Sequence, residues 1–228
     1  MTDAILRPTL DADPRLVAGF TTRAFSPATE GVDAARARLV EMLGLPVASV
    51  GQVHGNDVAI VREPGHVPAH DGLVTDVSGL VLSVLAADCA LVLLADAEAG
   101  VVGACHSGWR GTVAGIVGVT VGRMTELGAR AEHVRAYLAP CISAEAFEVG
   151  EEVAAQFPAA SVVRKPEWPR PHVDLHADLV RQLAEAGVTE IEVSDACTVS
   201  DPQTFYSYRA EGGTPGRMLG FVGLRAAR

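Results

Sequence analysis

A long apolar stretch near the middle of the chain, residues 80–96, has a carboxylate at its centre. Its sequence is LVLSVLAADCALVLLAD, with Asp88 and Cys89 between two apolar halves. The stretch is shorter than the ~20 residues that a membrane-spanning helix needs. A carboxylate at the bilayer centre would also cost roughly 2.5–3.5 kcal/mol. The stretch therefore predicts buried strands with Asp88 and Cys89 between them, and no insertion into a membrane.

The periodicity of the apolar residues predicts a mixture of strands and helices. Strands are predicted at Val58–Val61, Leu80–Leu85, Leu91–Ala95, Val101–Cys105, Val134–Leu138, Ile191–Val193 and Leu219–Val222. Helices are predicted over residues 32–43, from Thr112 to Leu127, over residues 149–157, and from Leu175, behind an Asp174 N-cap, to Gly187. Because these elements do not alternate as regular βαβ units, they favour an α/β or α+β domain with mixed sheets.

Segments 62–72 and 164–172, rich in Pro and Gly, are predicted to be loops, and neither is long or polar enough to be a domain linker.

Composition limits the partners that the protein can have. The 228 residues carry a formal charge of −10, which argues against a broad nucleic-acid surface because phosphate backbones need a basic face. The N-terminal residues lack the basic and apolar regions of a secretory signal. The four cysteines are scattered, as expected of reduced thiols. We therefore expect a cytoplasmic protein, in which only local arginines attract an anionic small substrate.

Three residues at the ends of apolar runs are candidate metal ligands: His54, Cys89 and His106. Two imidazoles and one thiol are a suitable set of three protein ligands for zinc, with the fourth position left for water or substrate. Nitrogen and sulfur ligands also suit copper, so the residue types do not choose between the two metals. The spacings match no compact zinc motif.

The same residues allow other interpretations. Cys89 can be a nucleophile paired with His106, with Asp88 as the orienting group or acid. A cysteine in an apolar run is also often a small buried hydrophobic residue, which fits Cys105 well and applies to Cys89 too. His54 beside Gly55 fits an ordinary turn histidine. The choice between these interpretations depends on geometry.

Arginines near glycines are candidate anion-binding groups, because the guanidinium fork binds phosphate or carboxylate bidentately. Arg110 follows His106 in the sequence HSGWRG, and a helix that begins at Thr112 would place its N-terminus just after Arg110. The segment FYSYRAEGGTPGR adds Tyr206, Arg209 and Arg217 near the C-terminus. The alternatives are a surface ion pair for Arg110 and an aromatic edge strand with solvated arginines for the C-terminal segment.

Taken together, these segments carry a resemblance to a known family. The motifs occur in the order SVGQVHGNDV, HDGLVT, AADC, ACHSGWRGT, APCISAEAFEVG, the DL of VDLHADL, CT and FYSYR…GR. From about Val50 to the C-terminus, the chain resembles the YfiH-like family. This family is also called the laccase-domain or multicopper polyphenol oxidase family, and its members are regarded as purine nucleoside phosphorylases. The resemblance implies a single domain over residues 1–228, with two mixed sheets between helices in α/β/β/α layers.

The resemblance also implies a site and an activity. His54, Cys89 and His106 correspond to the ligands of the family's single zinc or copper ion. The implied activity is phosphorolysis of adenosine, inosine and guanosine to free base and ribose 1-phosphate. Cleavage of methylthioadenosine and deamination of adenosine accompany it. Arg110, Arg209 and Arg217, together with Tyr206, are the expected substrate-binding residues, and Arg110, Asp88 and Cys89 are the expected catalytic ones, in a protein that we expect to be a monomer.

Three rival functions remain. A copper-dependent polyphenol oxidase would need many histidines for a trinuclear cluster, and the whole chain has seven. A cysteine hydrolase or peptidoglycan-precursor editing factor would use Cys89 as its nucleophile. A binding domain stabilised by zinc would turn over no nucleoside. Formation of ribose 1-phosphate, which requires consumption of inorganic phosphate, distinguishes phosphorolysis from all three.

Overall fold

The computed structural model describes residues 3–26, 28–213 and 216–226. Within these residues the strands are β1 (Ile5–Leu6), β2 (Leu16–Thr21), β3 (Val47–Gly51), β4 (Val58–Ile60), β5 (Gly65–Pro68), β6 (Gly72–Thr75), β7 (Val81–Ala86), β8 (Ala90–Asp96), β9 (Val101–Ser107), β10 (Arg135–Leu138), β11 (Val162–Val163), β12 (His172–Val173), β13 (Glu190–Val193) and β14 (Met218–Leu224). The α-helices are α1 (Gly31–Leu43), α2 (Trp109–Val113), α3 (Ile116–Glu126), α4 (Glu151–Ala154) and α5 (Leu175–Glu185).

Two six-stranded sheets form the centre of the fold. The first has the order β1-β2-β14-β7-β3-β5, and the second has the order β13-β10-β8-β9-β6-β4. Both are mixed: β3 runs parallel to β5 and β7, β4 to β6, and β10 to β13, while the other pairs are antiparallel. Strands β11 and β12 form a separate antiparallel pair.

Apolar side chains divide the molecule into four layers. One core cluster joins the facing sides of the sheets, with Phe20 and Val222 from the first sheet and Leu93 from the second. On the outer side of the first sheet, Leu39 of α1 packs in a cluster with Phe221. On the outer side of the second sheet, helices α3 and α5 cover β8, β9 and β10. The predicted fold class, layered α/β/β/α with mixed sheets, is confirmed.

All seven predicted strands are present, to within two residues at each end. Strands β1, β2, β3, β5, β6, β11 and β12 were not expected from the sequence. The prediction of a loop over residues 62–72 is wrong for β5, which forms the edge of the first sheet. Proline is tolerated at sheet edges, so Pro68 at the end of this exposed strand does not prevent pairing with β3.

The helices differ from the predictions in two places. The predicted helix from Thr112 to Leu127 is two helices, because Gly115 has a left-handed φ of 76° between α2 and α3. Residues 149–157 contain only the four-residue α4. The start of α5 is confirmed: Asp174 is its N-cap and accepts a hydrogen bond from the backbone N–H of Ala177 at 2.9 Å.

No α-helix in the described residues is both long and apolar enough to span a bilayer.

Candidate active site

The pairing of β8 with β9 brings Cys89 to the turn that follows His106. Ala90 lies opposite Ser107, so the residues just beyond the pair, Cys89 and Gly108, also meet. A Cβ atom at position 108 would lie 3.0 Å from Sγ of Cys89 and 3.0 Å from the His54 ring. Glycine is therefore needed at position 108 for these side chains to approach one another.

The pairing of β6 with β9 places a carboxylate beside His106. Gly72 lies opposite Cys105, and the preceding residue, Asp71, accepts a hydrogen bond at its carbonyl from the His106 backbone N–H at 2.8 Å. The imidazole Nδ1 of His106 lies 2.9 Å from Oδ1 of Asp71. Both side chains are buried. Because a carboxylate accepts, Nδ1 carries the proton and Nε2 remains available as a ligand.

Asp71 also fixes the turn that carries His54, between β3 of the first sheet and β4 of the second. Its carboxylate accepts hydrogen bonds from the backbone N–H groups of Val53 at 3.1 Å, His54 at 2.9 Å and Gly55 at 2.7 Å. His54 adopts a left-handed φ of 63° in this turn. Its ring meets that of His106 edge to face, with centroids 4.8 Å apart. One buried carboxylate thus orients both histidines.

The side chains of His54, Cys89 and His106 form a group that fits a single metal ion. One potential ligand atom from each lies within 4.8 Å of the other two. Zinc binds imidazole nitrogen and thiolate sulfur at about 2.0–2.3 Å, so three such atoms can surround one ion. Asp71 on Nδ1 of His106 is the carboxylate–histidine contact that supports metal-bound imidazoles in proteins.

The charged forms of Cys89, His106 and Asp71 stabilise one another. Burial alone would raise the pKa of Cys89, but contacts with His106 and His54 lower it below its ordinary value. Burial alone would lower the pKa of His106, and Asp71 and Cys89 raise it instead. The pKa of Asp71 also lies below its ordinary value, because hydrogen bonds from His106, Gly55 and Val53 outweigh its burial. The group therefore favours a thiolate.

Asp88 holds a loop in place. Its backbone has a left-handed φ of 88°, and its side chain is buried. Oδ1 accepts a hydrogen bond from the Thr198 hydroxyl at 2.6 Å, and Oδ2 accepts one from the backbone N–H of Arg209 at 2.7 Å. These contacts favour a positioning role for Asp88 over the predicted catalytic role, although the residue lines the cavity described next.

A cavity of about 700 Å³ opens beside the His54, Cys89 and His106 group. This volume is typical of small-molecule sites. Its walls include apolar surface from Trp109, Phe147 and Leu85. Among the described residues that line it, Asp88 is the single carboxylate, whereas four are arginines: Arg36, Arg110, Arg209 and Arg217. In a chain with a net charge of −10, this cavity concentrates positive charge.

Arg110 reaches the cavity from a different local structure than predicted. Helix α2 begins at Trp109 with Gly108 as its N-cap, so the prediction of a helix N-terminus just after Arg110 is wrong. The Arg110 guanidinium carbon lies 4.3 Å from the centroid of the Trp109 ring. This cation–π contact orients an exposed guanidinium at the cavity.

The C-terminal arginines are held by backbone carbonyls. The guanidinium of Arg209 donates to the carbonyls of Ala146 and Glu148, both at 3.2 Å. Arg217 Nη1 donates to the carbonyl of Gly216 at 3.0 Å.

Tyr206 occupies a different environment from the one predicted. It is 3% exposed, and its hydroxyl donates to the carbonyl of Ser26 at 2.8 Å. The Arg23 guanidinium covers its ring at 4.2 Å. These contacts are those of a core residue, which corrects the prediction that Tyr206 binds substrate. Tyr208 is the tyrosine that lines the cavity.

Sequence reasoning missed three residues of this region: Asp71, His66 and Arg36. Asp71 lies within the motif HDGLVT, so its position was visible although its role was not. His66 lines the cavity from edge strand β5, with Nδ1 3.2 Å from the Ser49 hydroxyl. Arg36 lies on α1, outside every motif. His66 lies in a segment predicted to be a loop, and the signal for Arg36 is its helical spacing from Val32 and Leu39 on the apolar face of α1.

Comparison with known proteins relates the chain to one family. Residues 22–225 match the family described as multi-copper polyphenol oxidoreductase laccase. A protein of Deinococcus radiodurans named purine nucleoside phosphorylase is 45% identical over 197 residues, which cover 83% of this chain and 76% of the relative. A Streptomyces griseus protein named purine nucleoside phosphorylase ORF3 is 42% identical over 202 residues, 85% of this chain and 81% of the relative.

Solved structures show the same fold. The crystal structure of YlmD from Geobacillus stearothermophilus has a TM-score of 0.88 and 30% identity, covering 98% of this chain and 97% of that one. The hypothetical protein YfiH of Bacillus licheniformis has a TM-score of 0.83 and 25% identity, covering 92% and 93%.

Proposed function

The chain belongs to the multi-copper polyphenol oxidoreductase laccase family, and its relatives include proteins named purine nucleoside phosphorylase. We propose that this protein is a purine nucleoside phosphorylase. Its substrates would be adenosine, inosine or guanosine together with inorganic phosphate. The observation that carries the proposal is the cavity of about 700 Å³ with four arginines and a single carboxylate. A neutral nucleoside needs no such charge, whereas phosphate does.

The proposed reaction forms one bond and breaks another. A phosphate oxygen bonds to C1′ of the ribose as the bond from C1′ to the purine nitrogen breaks, and the departing base takes up a proton. Arginines hold the phosphate and offset its charge as it approaches the sugar. Arg110 is suited to this task because its guanidinium is exposed at the cavity and oriented by Trp109. Apolar surface from Phe147 and Leu85 offers packing for the base.

We further propose that His54, Cys89 and His106 hold one zinc or copper ion. The grouping of their ligand atoms and the Asp71 contact on His106 support this assignment. When bound, such an ion supplies activation of water, which deamination of adenosine requires. Asp71 would keep Nδ1 of His106 protonated and Nε2 directed to the ion. Deamination and cleavage of methylthioadenosine are part of the proposal.

The experiment that tests the proposal is identification of products. Purified wild-type protein is incubated separately with adenosine, inosine, guanosine and methylthioadenosine, with and without inorganic phosphate, and bases and sugars are identified. We expect free base and the sugar 1-phosphate with phosphate, and no base release without it. Inosine formed from adenosine reports deamination. Release of free ribose without phosphate would refute phosphorolysis, and the absence of turnover on every nucleoside would refute the proposed enzyme.

A second candidate, a cysteine hydrolase with Cys89 as nucleophile, is favoured by one observation. Contacts with His106 and His54 lower the pKa of Cys89, as in cysteine nucleophiles. A peptidoglycan-precursor amide would then be the substrate. A burst of product equal to the enzyme concentration, with label retained on Cys89, would favour this function over phosphorolysis.

The copper-dependent oxidase fits less well. In the part of the chain that the structure describes, one group of three or more His, Cys, Asp or Glu side chains is arranged to hold a metal. A trinuclear copper cluster with an additional copper site would require more than one such group.

A further inference from the structure

Arg36 is a partly buried guanidinium whose one acidic partner among the described residues is an exposed carboxylate. It lies on α1, lines the cavity of about 700 Å³, and has 19% of its side chain exposed. Its Nε atom is buried, and no described residue accepts a hydrogen bond from it. Asp33, the acid paired with it, lies 3.6 Å from Nη1, beyond hydrogen-bond distance, and is itself fully exposed.

A neighbouring arginine on the same helix has the contacts that Arg36 lacks. Arg38 donates to the carbonyl of Phe25 and to the carboxylate of Glu30, both at 2.6 Å. Burial lowers the pKa of Arg36, while Asp33 opposes that shift. A guanidinium stays protonated in proteins, so Arg36 remains a cation in a partly desolvated place. Such a cation is costly unless an anion joins it.

The cavity itself supplies no free carboxylate for Arg36. Asp88 is the single acid among the described lining residues, and both of its oxygens already accept hydrogen bonds from Thr198 and Arg209. Two other polar residues that line this cavity, Arg217 and His66, carry no negative charge that could pair with Arg36. An anionic ligand in the cavity would give Arg36 a partner that the described lining residues do not offer.

Arg217 lines the same cavity as Arg36 and also lines a neighbouring one. A second cavity, of about 380 Å³, is lined by Val32 and Ala35 of α1 and also by Arg217. Arg217 therefore borders both cavities and lies close to the helix that carries Arg36.

We propose that Arg36 binds inorganic phosphate in the cavity. This inference rests on the proposed function and deepens it, because of the two substrates of a nucleoside phosphorylase only phosphate is an anion. The planar guanidinium presents paired N–H donors that match two phosphate oxygens. Nη1 and Nη2 at the end of the Arg36 side chain would make this contact, because Nε is closed off by the protein. Helix α1 then belongs to the active site, although the sequence motifs begin after it.

The test uses three variants of the metal-loaded full chain. Arg36→Met keeps an unbranched apolar stem and removes the charge, Arg36→Lys keeps the charge and removes the fork, and Arg38→Met is the control on the same helix. Binding of inorganic phosphate alone is measured by calorimetric titration. We expect Arg36→Met to raise the Kd for phosphate at least tenfold, Arg36→Lys to raise it less, and Arg38→Met to match the wild type.

Kinetics supply an independent readout that a structural role would not move. With inosine, Arg36→Met is expected to raise the KM for phosphate and to leave the KM for inosine near its wild-type value. Should Arg36→Met not fold, Arg36→Lys carries the same test through its loss of the fork. A Kd and a KM for phosphate that are unchanged in both Arg36 variants would overturn the inference.

The inference and the proposed function fail in different ways. Phosphate binding that depends on Arg36, without formation of ribose 1-phosphate, would uphold the inference and refute the phosphorylase. Formation of ribose 1-phosphate with unaltered phosphate binding in the Arg36 variants would refute the inference and uphold the phosphorylase. Wild-type protein that binds no phosphate would refute the inference directly.

Discussion

Two parts of the same cavity are built in opposite ways. At the metal end, formed by His54, Cys89 and His106, the protein supplies its own contacts: Asp71 accepts from the His106 ring and from the His54 backbone. At the arginine end, formed by Arg36 and Arg217, the Arg36 guanidinium has a buried Nε without a described acceptor. Contacts within the protein orient the first end, whereas the proposed phosphate would add a partner at Arg36 in the second.

This difference follows from the secondary structure that carries each end. Antiparallel pairing of β9 with β6 and β8 fixes Asp71, Cys89 and His106 relative to one another before any ligand binds. Arg36 comes from α1, which packs on the outer side of the first sheet through residues such as Leu39. Strand pairing thus holds the proposed metal ligands in place, whereas the proposed phosphate contact depends on one long side chain of a helix.

The largest expected effect is loss of metal from the metal end. The double variant Cys89→Ser with His106→Ala removes two of three ligands, so the metal content should fall from close to one ion per chain to near zero. Elemental analysis after dialysis measures it. Cys197→Ser, which removes a thiol outside this group, is the control and should keep its metal. Full metal occupancy in the double variant would show that the ion is bound elsewhere.

An arginine beside the metal end gives the next effect. Arg110→Ala should lower the rate of phosphorolysis on the order of 10²-fold, the usual cost of losing one charged contact in the transition state. Stability should change by at most about 1 kcal/mol because the side chain is exposed. Melting temperature and the phosphate dependence of turnover are measured together, with Arg123→Ala as the surface control. Unchanged kinetics would assign Arg110 to the surface.

A smaller effect tests whether Asp71 acts through His106. Asp71→Asn keeps the shape of the side chain and removes the charged acceptor, so the affinity for zinc should fall by about 10–100-fold. Competition with a chelator measures this affinity, and Asp76→Asn, at an exposed ion pair with Arg62, is the control. If Asp71→Asn retained wild-type affinity, the histidines would be oriented by the backbone alone.

The smallest expected effect concerns Arg209, whose guanidinium already has protein partners. Because it donates to the carbonyls of Ala146 and Glu148, Arg209→Met should cost about 1 kcal/mol of stability. Its effect on the KM for phosphate should be smaller than that of Arg36→Met. Chemical denaturation and steady-state kinetics provide both values. If Arg209→Met raised the KM for phosphate more than Arg36→Met does, Arg209 and not Arg36 would be the phosphate-binding arginine.

Seven of the strands and the family were predictable from the sequence. Continuous apolar runs such as Leu91–Ala95 identify strands covered on both faces, and β8 agrees with that run to within one residue at each end. The resemblance to the YfiH-like family is confirmed by the family match and the relatives. Two kinds of strand escaped prediction: β5, an exposed edge strand with glycine and proline at its ends, and β2, a buried strand of six residues with Gly19 inside its apolar run.

The site was predictable only in part. The ordered motifs singled out His54, Cys89 and His106, and strand register explains why the structure brings them together. The role of Asp71 depends on which strand pairs with β9, and the sequence does not state that pairing. Arg36 lies at helical spacing from Val32 and Leu39, so the pattern places it on the apolar face of the helix. What the sequence does not show is that this face of α1 borders the cavity, which depends on tertiary packing.

The amount of phosphate consumed for each purine base released tests the central claim most directly. Metal-loaded wild-type protein is mixed with inosine and inorganic phosphate, phosphorus NMR follows both phosphate species, and absorbance follows the free base. If the cavity performs phosphorolysis, phosphate lost, ribose 1-phosphate formed and base released will be equal throughout the reaction. Release of base while the phosphate signal stays constant, or no release of base at all, would contradict it.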